Sequence, residues 1–75
     1  MRALYVEWLD PTAGGDWLTI KEINLQFKPI KSVGWLIKED KLAVLISLNW
    51  DEEEDKICEF IKIPKDLITK RKWIR

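Results

Sequence analysis

Histidine is absent from this chain, and cysteine occurs once, at Cys58. Without histidine the chain lacks the side chain that most often does acid–base work at neutral pH. The two shortages together leave no ordinary ligand set for zinc. A lone cysteine also excludes an intrachain disulfide. Neither sign of charge is in excess, since 13 basic residues balance 13 acidic ones. A dedicated duplex-DNA binder carries a strongly basic face, so this balance argues against one. No apolar run approaches the ~18 residues of a membrane span. The opening Met1-Arg2-Ala3-Leu4-Tyr5 lacks the layout of a secretory signal. The expectation is a cytoplasmic protein, away from membranes and without metal or cofactor.

Size limits the core. A chain of 75 residues reads as one domain, 1–75, burying roughly 60% of its unfolded surface. Small scaffolds need a staple. With disulfide and zinc excluded, aromatic bulk and self-association remain, and five Trp, two Phe and one Tyr supply the first.

The chain is organised around residues 32–64. Three apolar runs, 32–37, 42–50 and 57–63, are separated by the charged breaks 38–41 and 51–56, the pattern of a three-strand antiparallel meander. Before it, residues 3–9 alternate as a first strand, with Leu4, Val6 and Trp8 inward. Pro11, Gly14 and Gly15 mark a loop over 10–16. Thr19 with Glu22 fits a capping box, and Ile20, Ile23 and Phe27 fall on one face of a short helix that Pro29 ends. The strands of the meander are placed at 31–38, 42–49 and 56–63. Gly34 marks a bulge or a close backbone approach. Strand 42–49 is apolar at nearly every position through Ile46, as in a strand covered on both faces. Pro64-Lys65-Asp66 suits one 3₁₀ turn, and 68–74 reads as an edge strand protected by Lys70, Arg71, Lys72 and Arg75.

The fold class expected is mainly β (α+β). The order of elements is similar to the SH3-like or Sm-like small barrel, or to a strongly curved antiparallel sheet of about five strands. Either version carries one short helix between strands 1 and 2.

The candidate sites each have a plainer alternative. The acidic run 51–55 lacks the spacing and the glycine of a calcium loop and reads as a solvated turn. Lys70, Arg71, Lys72 and Trp73, with Lys65 nearby, combine phosphate-binding charge with a ring on which a base can stack. The alternative is a charged edge strand with a frayed tail. Trp8 and Trp35 sit inside strands and are expected in the core. Trp17 and Trp50 lie at loop and turn edges, where an indole serves a binding surface or lids the core. Cys58 is expected buried and inert. Glu7 and Glu59 are conceivable acid–base groups without a second group to pair with, so no catalytic residue is assigned.

A set of short segments adds a resemblance. Val6-Glu7-Trp8-Leu9-Asp10, Gly15-Asp16-Trp17, Ser32-Val33-Gly34-Trp35-Leu36-Ile37, Ile63-Pro64-Lys65 and Ile68 together resemble a group of small proteins encoded by bacteriophages and prophages. The likeness spans most of the chain and departs at the basic tail around Trp73. It implies a protein made in the host cytoplasm, and it carries over no catalytic residue. The functional expectation is a non-enzymatic homo-oligomer that binds a host factor. The surface would be Trp17, Trp50 and the Gly14-Gly15 loop. A variant is a counter-defence protein that sequesters a nucleotide through Lys65, Lys70, Arg71, Lys72 and a Trp. The alternatives are an SH3-like or Sm-like nucleic-acid binder and a small structural phage component.

Overall fold

The computed structural model describes residues 1–11, 15 and 17–75. Five antiparallel strands, β1 (Ala3–Asp10), β2 (Lys28–Glu39), β3 (Ala43–Asp51), β4 (Lys56–Pro64) and β5 (Ile68–Trp73), form one sheet. Its order is β4-β3-β2-β1-β5. The meander is the one expected. The last strand crosses back to pair with the first, with Leu4 opposite Trp73.

No closed barrel forms. β4 and β5 are consecutive in the chain yet sit at opposite edges of the sheet, unbonded to each other. The 3₁₀ turn Lys65–Leu67 carries the chain from one edge to the other. Backbone bonds anchor its start, with Lys65 N–H donating to Leu42 O at 2.8 Å.

Among the described residues no α-helix forms between β1 and β2 either. The chain there makes a single 3₁₀ turn, Ile20–Glu22, with no buried residue. Thr19 makes no side-chain cap, so the expected capping box is not built. Two turns of helix need a docking surface, and here the apolar side chains face solvent. A second period competes with the helical one. Ile23, Leu25 and Phe27 alternate with Asn24, Gln26 and Lys28, which is strand spacing, and Ile23 is extended at φ −88° and ψ 129°. β2 then begins at Lys28 and includes Pro29, opposite Leu9. Proline is tolerated there because β3 pairs with β2 only from Trp35 onward, leaving that side of Pro29 open. The expected loop over 10–16 is described only in part, since Thr12, Ala13, Gly14 and Asp16 lie outside the described residues.

The core is small. Leu4, Val6 and Trp8 of β1 are buried as their alternation predicts, against Val44 and Ile46 of β3 and Ile63 of β4. Ile30, Leu36 and Ile68 pack on this cluster. Trp8 Nε1 donates to Ser32 Oγ at 3.0 Å, satisfying its polar atom inside the sheet. Gly34 is the close-approach residue. A Cβ there would stand 2.8 Å from Ser47 O and 3.3 Å from Ile46 Cβ. Ser47 itself is buried, its Oγ 2.8 Å from both Asn49 O and Cys58 O, one hydroxyl proton serving two acceptors. Next to it Glu59 adopts φ 58°, and the pairing of β3 with β4 skips Leu48 and Glu59.

Two expectations about burial are corrected. Trp35 lies outside the core cluster and packs edge-on against Trp50, with ring centroids 5.7 Å apart. Its neighbour Gly34 points inward, so Trp35 must point outward. Cys58 is exposed because β4 is an edge strand covered only at Ile63. Along β3, Val44, Ile46 and Ser47 are buried and Ala43 and Leu45 half-buried, whereas Leu48 is exposed, and the expected helix does not supply the second cover.

Candidate functional site

An open groove of about 940 Å³ runs along β1 and β5. Sheet register builds it. Tyr5 stands opposite Lys72, and Glu7 opposite Lys70, so the side chains of each pair share a face. Arg2, Trp73 and Arg75 complete the groove at one end. Four of its lining side chains are cationic and one, Glu7, is anionic, in a chain whose net charge is zero.

Two interactions organise the groove. The Arg2 guanidinium lies 4.2 Å from the centroid of the Trp73 ring, and Arg71 lies 5.6 Å from it. Stacking of this kind contributes about 0.5–1 kcal/mol at an exposed site and holds the Arg2 fork in place. The Tyr5 hydroxyl donates to Glu7 Oε2 at 2.7 Å. That bond, then desolvation and the Glu7 charge, raise the Tyr5 pKa above its ordinary value. Tyr5 thus holds Glu7, the one carboxylate among the groove's lining residues, by one of its two oxygens.

The expected cluster is divided. Lys70, Lys72 and Trp73 reach the groove. Lys65 and Arg71 meet elsewhere, on Glu39 at the end of β2. Lys65 Nζ is 2.8 Å from Glu39 Oε2, and Arg71 reaches both oxygens, at 3.0 and 3.3 Å. The Arg71 hydrogen bond, then that of Lys65, hold the Glu39 carboxyl down at about 2. Arg71 and Trp73 sit opposite Val6 and Leu4 and so leave the sheet on the core side, away from the Lys70 and Lys72 pair; Trp73 reaches the groove only at its end, with Arg2. Alternation along β5 makes this division.

Trp17 is fully exposed, and Trp50 is half-buried beside Trp35 with its Nε1 buried and unbonded. Neither lines the groove. Of the Gly14-Gly15 pair, Gly14 lies outside the described residues, and Gly15 has open space around its Cα. Sequence reasoning missed Arg2, Tyr5 and Arg75. The signal for Arg2 and Tyr5 was the pairing of first and last strands: once β5 is laid on β1, both fall beside the Trp73 end.

The acidic turn 51–55 is an ordinary hairpin connection. Asp51 Oδ1 accepts from the Glu53 and Glu54 backbones, and Lys56 pairs with Glu54 at 3.2 Å. Among the described residues no three His, Cys, Asp or Glu side chains are placed to hold a metal ion. No helix among them is long and apolar enough to cross a membrane.

Fold and groove together define a small antiparallel β protein with a cationic, aromatic-backed cleft along one sheet edge. Comparison of the chain with known protein families, with curated proteins and with solved structures finds no match.

Proposed function

We propose that this chain is a non-enzymatic binding protein that captures a phosphate-bearing nucleotide in the β1–β5 groove. The observation that carries this reading is the Arg2 guanidinium stacked on Trp73 at one end of a groove that Lys70, Lys72 and Arg75 also line. A stacked arginine presents its fork to phosphate, lysines add point charge, and the exposed part of the Trp73 ring offers a surface to a base. The groove's volume lies within the ~300–1,000 Å³ typical of small-ligand sites, which favours a dinucleotide over a long strand. In the phage setting that the resemblance implies, such a protein withdraws a nucleotide signal from the host's cytoplasm and acts by stoichiometry, as an oligomer, rather than by turnover.

Calorimetric titration with a cyclic dinucleotide, with inorganic pyrophosphate and with a ten-nucleotide deoxythymidine strand tests the reading. The dinucleotide is expected to bind, and Arg2→Ala or the pair Lys70→Ala and Lys72→Ala to weaken it at least tenfold. Lys41→Ala, in the β2–β3 turn, serves as the unchanged control. No heat with any probe, or binding indifferent to the groove variants, overturns it. Tighter binding of the strand, falling about a thousandfold or more between about 50 and about 200 mM salt, replaces it with the nucleic-acid reading.

A further inference from the structure

The chain between β1 and β2 is the other feature of this molecule that its own fold leaves unused. Trp17, Leu18, Ile20, Ile23, Leu25 and Phe27 are all exposed, Trp17 completely and Leu25 to 93%. Six large apolar side chains in an 11-residue stretch (17–27) contrast with a buried core of six among the described residues. The radius of gyration is 15.2 Å, with extents of 51 × 23 × 21 Å, against about 11 Å for a compact domain of this length.

The second half of this arm has the sequence pattern of a strand without the structure of one. Ile23, Leu25 and Phe27 alternate with Asn24 and Gln26 just before β2 begins, yet the segment pairs with nothing and folds back locally, Gln26 N–H donating to Asn24 Oδ1 at 3.0 Å. The same chain carries a matching receptor. An open trough of about 440 Å³ lies across β2, β3 and β4, and Val33, Leu48, Phe60 and Ile61 remain exposed along it. The outer edge of β4 borders that trough and has no strand beside it. The other free edge, β5, is closed to such a partner by the like charges of Lys70, Arg71 and Lys72. β4 instead carries charges of mixed sign, Lys56, Glu59 and Lys62, and so does the arm, with Lys21, Glu22 and Lys28.

We propose that residues 23–27 dock on the β4 edge and its apolar trough in a second copy of this chain, reciprocally, making a two-fold dimer by arm exchange. Strand addition satisfies the backbone of both free segments, and a two-fold axis closes the assembly after one exchange. The area is sufficient. Segment 23–27 and trough together expose seven large apolar side chains per copy, Ile23, Leu25, Phe27, Val33, Leu48, Phe60 and Ile61, and reciprocal exchange covers both sets in each copy, an area on the order of the ~800 Å² per partner of a standard interface.

Native mass spectrometry and sedimentation of the full chain test this. Twice the 8.9 kDa protomer mass is expected at micromolar concentration. The double variant Ile23→Ser with Leu25→Ser, and separately Leu48→Ser with Phe60→Ser, are each expected to raise the dimer dissociation constant at least 30-fold. The near-ultraviolet circular dichroism of Trp35 and Trp50 reports that each variant stays folded, and Lys70→Ala is expected to leave the dimer intact. Mixing the two double variants is the sharper assay. A heterodimer keeps one sound arm on one sound trough, so it forms more readily than either homodimer. A monomeric wild-type chain, a dimer indifferent to the arm variant, or a mixture that recovers nothing overturns arm exchange.

Discussion

Gly34 shows how much one missing methyl group decides here. Its hydrogen faces the backbone of β3, and an alanine Cβ would meet Ser47 O at 2.8 Å. The neighbour is main chain inside a hydrogen-bonded sheet, so it cannot swing aside. Gly34→Ala is expected to cost about 1–3 kcal/mol by overpacking, read as a lowered denaturant midpoint with an unchanged m-value. A glycine among strand formers is a strong sequence signal, and Gly34 was read correctly from it. Trp35 was not, because residue type favours burial while the neighbouring Gly34 already occupies the inward position. Cys58 misled in the same way: thiols are commonly buried, but β4 lies at an edge, and edge position depends on topology.

The end of β2 behaves as a clasp between elements distant in the chain. Glu39 holds Arg71 of β5 and Lys65 of the 3₁₀ turn at once. The Glu39 pKa is lowered from 4.5 to about 2, so its stabilising contribution is present above pH 4.5 and is lost as pH falls through the interval down to about 2. The three side chains are about one-third exposed, which limits the clasp to about 1 kcal/mol. Urea unfolding of wild type and Glu39→Gln is expected to differ by about that amount at pH 7 and to converge at pH values near 2. The sequence placed Lys65 and Arg71 with Lys70 and Lys72 because they are neighbours in the chain; alternation separates them, and the acidic partner that takes them lies over 25 residues away. The arm shows the same limit. Ile20, Ile23 and Phe27 satisfy a helical period, while Ile23, Leu25 and Phe27 satisfy a strand period, and only the presence or absence of a docking surface decides between them.

At the scale of the molecule, five strands with a three-strand meander among them were legible, because alternation and charged turns repeat along the chain. Whether the sheet closes was not, since closure depends on register and twist summed over every pair. The groove belongs to this scale as well, for it exists only where the first strand lies against the last. A ligand held there binds the folded chain alone. At a free concentration a hundred times its dissociation constant, the cyclic dinucleotide is expected to add about 2.7 kcal/mol to unfolding, measured by urea titration with and without it. Arg2→Ala is expected to lose that increment and keep the fold.

The pairing of Leu4 with Trp73 also sets an order of events in time. Neighbours in the β2–β3–β4 meander meet through short connections, whereas β5 must reach back past the whole meander to pair with β1. Non-local pairing of this kind is slow, because chain closure must precede the contacts that reward it. The meander therefore assembles first and the cleft last. Arg2 meets Trp73 only in that final step, so the capacity to hold a ligand lags behind the sheet that carries it.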